Sequence, residues 1–231
     1  MKKLEDALND FRNTVSRDYY IDNGYGSNDK LESEFKKLAS TFLYGGFINV
    51  NDRFRIYLTT VEFYFHCEQK GKFIYDPIVY HRNNQTRKDH EKLPYFPLGA
   101  LNMHQSGIDI TFEKENEYRA SVLVRCFKVY NYNSPEPMSE CEKRSTFIYD
   151  FLQGGATLLD GINIKWEDAP TKSDEEQFII GKRVNVARFK RDAKDIDWEK
   201  IPVPNSLEKY KPDERLWSFT RRTTLGYDSF K

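Results

Sequence analysis

Hydrophobic residues recur along this chain with two different periods. Near the start, Leu4, Leu8 and Phe11 fall on one side of a helical wheel, and the segment MKKLEDALNDFRN predicts a helix. Residues 18 to 29, DYYIDNGYGSND, are turn formers and polar residues and predict a loop. The run KLESEFKKLASTF then places Leu31, Phe35, Leu38 and Phe42 on one helical face, and Asp29 followed by Glu32 has the form of a capping box.

From Gly45 the period changes to two. Phe54 to Leu58 and Val61 to Phe65 alternate and carry β-branched and aromatic residues, as strands do. A polar stretch from Asn83 to Lys92 interrupts the pattern. The segment GIDITFEKENEYRASVLVRCFKVYN follows, two strand-like runs on either side of Glu113 to Asn116, which predicts a β-hairpin. Residues 131 to 142 carry Pro135 and Pro137 and predict a loop. Helical patterning returns at Thr146 to Leu159, broken by Gly154-Gly155. The last third is charged and irregular, with a short strand-like piece at Arg183 to Ala187. No internal repeat or low-complexity block is present. These elements predict a mixed α/β (α+β) fold: one domain over 1–231, with its core at about 30–220, in which an antiparallel sheet is flanked by helices.

Composition changes the picture in one respect. The chain has 231 residues, mean hydropathy is low at −0.77, and 31% of residues are charged, which on its own would suit a disordered chain. The 17 Phe, 15 Tyr and 3 Trp supply enough large side chains for a packed core and exclude wholesale disorder. No apolar run is long enough to span a membrane, and the two lysines at the N-terminus precede no apolar stretch of the secretory kind. Cys67, Cys126 and Cys141 show no CxxC spacing and read as reduced thiols of a cytoplasmic protein. Lys plus Arg equals Asp plus Glu at 36 each, so a nucleic-acid partner would have to be met by a local basic patch.

Candidate chemistry is sparse. His66 and Cys67 are adjacent on a strand and point to opposite faces, so they cannot easily share an ion; His81, His90 and His104 lack ligand spacing, and no metal or cofactor is expected. No GxSxG, P-loop or GxGxxG is present. Glu62 lies in the densest apolar strand. Alternation alone favours the wet face of a half-exposed strand for it; the other reading is a desolvated carboxylate whose raised pKa suits a general base. Arg125, inside Val122-Leu123-Val124-Arg125-Cys126-Phe127, poses the same choice with the opposite sign. The two charges form either a structural ion pair or two walls of a site. Lys182, Arg183, Arg188, Lys190 and Arg191 make up a basic run around Phe189, and Arg221-Arg222 is a second, smaller cluster.

The order of several short motifs resembles the alkyladenine (3-methyladenine) DNA glycosylase family, which removes damaged purines from duplex DNA. Glu62-Phe63-Tyr64 stands where the family has Glu-Ala-Tyr. Asp76-Pro77 and then His81-Arg82 are similar to the Asp-Pro, His and Arg that come next. Phe96-Pro97-Leu98-Gly99-Ala100-Leu101 resembles the family's aromatic and Pro-Gly turn, and Val122-Leu123-Val124-Arg125 its Val-Leu-Ile-Arg strand. Leu152-Gln153-Gly154-Gly155-Ala156-Thr157-Leu158 is similar to Leu-x-Gly-Pro-Gly-x-Leu, and Lys182-Arg183-Val184-Asn185-Val186 to Pro-Arg-Ile-Gly-Val. The resemblance covers about residues 38 to 190, with Leu216-Trp217-Ser218-Phe219 similar to an aromatic strand further on.

The resemblance implies a curved antiparallel sheet of the methylpurine glycosylase kind and a metal-free, cofactor-free, monomeric enzyme acting on lesion-containing double-stranded DNA. It implies that Glu62 activates the attacking water, with Arg125 beside it. Tyr64 and His81 would wall the pocket, with His104 at a stacking position. The chain departs from the family where a Tyr-Gly pair inserts into the duplex. Here the stretch is His104-Gln105-Ser106-Gly107, so Gln105 or Met103 would take the wedge's place. Two competing expectations are a module that keeps the fold and binds a nucleotide or nucleic acid without catalysis, and an interaction protein with no pocket.

Overall fold

A computed structural model describes residues 3–15, 29–66, 76, 94–138, 143–169, 178–184, 187–189, 210–212 and 215–222. The predicted helices form at Leu4–Thr14 (α1) and Asp29–Tyr44 (α2), and all seven apolar residues that defined them are buried. The side chain of Asp29, half of the expected capping box, lies outside the described residues, as does the expected loop over 18–28. A third helix, α3, covers Ile148–Gly154 after a short 3-10 turn at Ser145–Phe147. It stops at the glycine pair. Gly155 backs onto Val50, and a Cβ there would collide with the valine side chain.

The strands are β1 (Gly46–Val50), β2 (Phe54–His66), β3 (Leu101–His104), β4 (Gly107–Thr111), β5 (Arg119–Asn131), β6 (Lys143–Arg144), β7 (Ile164–Asp168), β8 (Phe178–Gly181), β9 (Ala187–Phe189), β10 (Tyr210–Pro212) and β11 (Ser218–Arg221). Among the described residues, all strand pairings are antiparallel. Nine strands form one sheet in the order β3-β4-β5-β2-β1-β7, with β11 joining β2 to β8 and β6 on β5; β9 and β10 make a separate ribbon. The hairpin expected around Glu113 to Asn116 is β4–β5. The strand expected at Arg183 to Ala187 is displaced: β8 ends at Gly181, and residues 182–184 form a connection rather than a strand. A tight turn at Asn51-Asp52, both with φ of 51°, links β1 to β2, the left-handed geometry that short polar residues tolerate best.

The two segments read as separate strand runs are one strand. Leu58 pairs with Phe127, Thr60 with Cys126 and Val61 with Val124, which leaves Thr59 and Arg125 as extra residues on β2 and β5. Each extra residue reverses the alternation of its strand. Phe54, Ile56 and Leu58 face the helices before the irregularity; Val61, Phe63 and Phe65 face them after it. Partners change at the same place. The edge of β2 that carries β1 at residues 54–56 carries β11 at 60–62, and β5 meets β4 at 121–123 but β6 at 126–127. Two long bent strands thus serve two sub-sheets, and the sheet curls into a half-barrel.

One apolar core fills the helical side. Phe35 stacks on Phe63 at 4.6 Å and meets Trp217 edge-on at 5.2 Å, while Phe11 meets Phe112 edge-on at 5.0 Å. Among the described residues, no helix is long and apolar enough to cross a membrane.

Candidate functional site

The face of the sheet turned away from the helices is polar along one rung. Cross-strand pairing aligns Gly181, Ser218, Glu62, Leu123, Asp109 and Asn102 across β8, β11, β2, β5, β4 and β3. Directly paired residues share a face, so the side chains of this row stand side by side. Tyr64, Ser121 and Thr111 form the next row on the same face.

Glu62 lies at the middle of the first row and is 0% exposed. The wet-face expectation from alternation is therefore overturned. The paired irregularity turns Glu62 away from the helices, but that second face is itself covered at this point. Glu62 Oε2 accepts a hydrogen bond from the Tyr64 hydroxyl at 3.2 Å, and Oε1 accepts one from the Val184 backbone N–H at 3.1 Å. Arg125 Nε stands 3.6 Å from Oε1. Arg125 reaches this place because it is the extra residue of β5, re-aimed by the bulge. Its side chain remains 27% exposed and Val184 is 50% exposed, so the carboxylate sits one layer beneath a rim of Arg125, Val184 and the exposed Lys182.

Burial is the largest influence on Glu62 and pushes its carboxyl above the usual carboxylate range. The Val184 N–H, Arg125, Arg183 and the Tyr64 hydroxyl pull the other way without cancelling it. Burial likewise raises the Tyr64 phenol well above its ordinary value, with neighbouring Arg183 opposing, so Tyr64 serves as a donor. A buried carboxyl with a raised pKa, still held by donors, has the properties of a general base.

Asp76 closes the end of β2. Its carboxylate accepts the Phe65 N–H at 3.1 Å and two Arg183 contacts at 2.6 and 3.3 Å, and Arg215 Nη2 lies 3.7 Å away. Its own N–H donates to His66 Nδ1 at 3.2 Å. Asp76 stood in the sequence only as part of a motif; its role as an anchor carries no local signal, because its partners come from residues 65, 66, 183 and 215.

Other expected site residues divide into two groups. His104 is on the polar face, but its ring is turned inward: Nε2 lies 3.2 Å from Asp109 Oδ1, and Nδ1 accepts the Ser106 N–H at 3.2 Å. The Ser121 hydroxyl donates to the other Asp109 oxygen at 3.2 Å. Tyr149 of α3 donates to the His104 carbonyl at 2.5 Å and accepts the His104 N–H, fixing the β3–β4 turn, at which Met103 and Gln105 are exposed. Arg183, grouped with the basic run, is buried, and so is Arg221, which donates to the Leu43 carbonyl and packs over Tyr44 at 4.4 Å. Neither guanidinium is placed to meet a phosphate. His81, Lys190, Arg191 and the side chain of Arg188 lie outside the described residues.

Asp109 and Ser121 were missed as neighbours of the site. The alternation Ile108-Asp109-Ile110, with both isoleucines buried in the core, was the available signal that Asp109 shares the polar face. Val184 stood only within the Lys182-to-Val186 motif, and nothing in that motif signals that its backbone N–H reaches Glu62, 122 positions away. Among the described residues, no group of three or more His, Cys, Asp or Glu is gathered to hold a metal ion. Compared with family models, curated proteins and solved structures, the chain matches none.

Proposed function

We propose that the protein is a base-excision DNA glycosylase of the alkyladenine type, hydrolysing the N-glycosidic bond of alkylated or deaminated purines. The observation that carries this reading is the meeting of Glu62 and Arg125, from the centres of two apolar strands, with the Tyr64 hydroxyl and the Val184 N–H on one carboxylate. Of the short motifs that resemble the family, three contribute to that one place.

In the proposed reaction Glu62 takes a proton from a water molecule, and the water oxygen bonds to the sugar C1′ as the bond to the base nitrogen breaks. The departing purine keeps the bonding electron pair. 3-Methyladenine carries a positive charge before cleavage and leaves as a neutral base. Hypoxanthine and ethenoadenine start neutral, leave as anions that take a proton from solvent water, and so need more help from the protein. Arg125 holds the Glu62 carboxylate in position and lies at the rim, where it also faces the DNA backbone. Tyr64 orients the second carboxylate oxygen. Lys182, exposed beside Val184, supplies a phosphate contact whose strength falls with salt. The curled antiparallel sheet flanked by helices supports this reading at the level of architecture.

A second reading is favoured by one observation: both Glu62 oxygens are already engaged by donors of the protein itself. In a binding module that has lost catalysis, such a carboxylate would be structural. Labelled duplexes carrying hypoxanthine, ethenoadenine or 3-methyladenine separate the two. The glycosylase reading expects abasic sites with the wild-type protein and a loss of about 10²- to 10⁴-fold in Glu62→Gln, the usual contribution of a general base. Salt-sensitive binding to the duplex with no base released in either protein would establish the binding module instead. Neither release nor binding would reject both.

A further inference from the structure

The basic run divides at its second residue. Lys182 is exposed, whereas Arg183 turns inward with a fully buried side chain. We propose that Arg183 is a positioning residue, clamping residues 181–184 onto β2 so that the Val184 N–H is held on Glu62; the inference rests on Glu62 being the water-activating base.

The contacts of the guanidinium carry this. Nη1 donates to the Phe63 carbonyl at 3.0 Å and to Asp76 at 2.6 Å, and Nη2 to Asp76 at 3.3 Å. Its plane lies over the Tyr64 ring at 4.6 Å and the Trp217 ring at 5.0 Å. Every one of these partners belongs to β2, to the anchor at its end, or to the residue leading into β11. The side chain therefore sews the connection after β8 to the strand that bears Glu62, and the next residue in the chain presents its N–H to Glu62 Oε1. A planar fork can hold a carboxylate, a carbonyl and two rings at once. An ammonium keeps the charge but not this geometry, so Arg183→Lys is the informative change.

The test follows the Val184 amide and the Glu62 carboxyl by NMR titration in the isotope-labelled full chain. Wild type, Arg183→Lys and Asp76→Asn are compared, with 3-methyladenine release measured in parallel. Arg125 from β5 and Tyr64 from β2, the other charged and titratable groups facing Glu62, are unchanged in both variants. In the wild type the Val184 amide shift is expected to follow the titration of Glu62. In Arg183→Lys that coupling should vanish and the Glu62 midpoint should rise, because a donor to the carboxylate is lost. Release should fall about a hundredfold in kcat, the scale of an ångström-sized misplacement, with little change in KM.

An Arg183→Lys protein in which the Val184 amide still follows Glu62 overturns the proposal, since charge alone would then suffice. A variant that loses duplex affinity while keeping kcat overturns it in favour of a phosphate contact. If Arg183→Lys does not fold, Asp76→Asn loosens the same clamp while preserving the shape of the side chain, and the amide readout decides. If the wild type releases no base, the glycosylase reading fails on its own; the coupling of Val184 to Glu62 still tests the clamp.

Discussion

Glu62 and Phe63 are adjacent, equally buried and opposite in what their burial does. Phe63 faces the helices, stacked on Phe35 and edge-on to Phe112 and Phe219 at 6.1 and 5.5 Å. Removing that ring from water stabilises the fold. Glu62 faces the other way, where burial disfavours its charged form and four neighbouring donors or cations only partly offset the cost. The helical face is thus built for stability, while the polar face carries a carboxyl whose charged form burial disfavours. Such a cost, on a residue the bulge has turned out of the core, supports the role proposed for Glu62.

This contrast can be broken at its strongest point first. Phe63→Ala removes a fully buried ring with aromatic neighbours on three sides and is expected to cost about 3–5 kcal/mol, read from denaturant unfolding. A loss below about 1 kcal/mol would mean that the helical face is not the main source of stability.

Glu62→Gln sharpens the contrast from the other side. The native carboxyl keeps its proton to higher pH than the same group in the unfolded chain. Its contribution to stability is therefore fully present below its ordinary value of 4.5 and is lost as pH climbs through the raised native value. The glutamine does not titrate. Relative to wild type, the variant should gain stability steadily from acid to neutral pH in thermal unfolding. A difference that stays constant with pH would show that the donors and cations around Glu62 offset its desolvation in full.

The smallest effect is expected from Tyr64→Phe. It removes the hydroxyl that donates to Glu62 Oε2 and should cost about 1 kcal/mol. Loss of that donor moves the Glu62 midpoint still higher, measurable by carboxyl NMR. A midpoint that falls instead would mean the hydroxyl does not stabilise the carboxylate.

Much of the fold was legible. The four-three-four spacing of Leu31, Phe35, Leu38 and Phe42 specified both α2 and its buried face, because a helix of that composition has only one way to hide its apolar stripe. The β4–β5 hairpin followed from two alternating runs around a polar turn. The face of Glu62, opposite Val61, Phe63 and Phe65, was legible from alternation. Its burial was not, because the cover over that face comes from Val184, distant in the chain, and from Arg125, which a bulge re-aims. That bulge comes from Thr59 and Arg125, each extra only with respect to its partner strand, and nothing in either segment alone marks it.

The same division holds for the chemistry. Local sequence determined which residue types are present: a carboxylate, a phenol and an arginine inside apolar strands, and a basic run after β8. Tertiary structure decided their use. It turned Arg183 into the core against Asp76, 107 positions away in the chain, and left Lys182 exposed. It also brought the Val184 backbone N–H, 122 positions away, onto Glu62. Pattern and propensity act over a few residues, so they determine elements and their buried faces. The electrostatics of a buried group depend on whatever the curled sheet sets within a few ångströms of it, and only the assembled chain determines that.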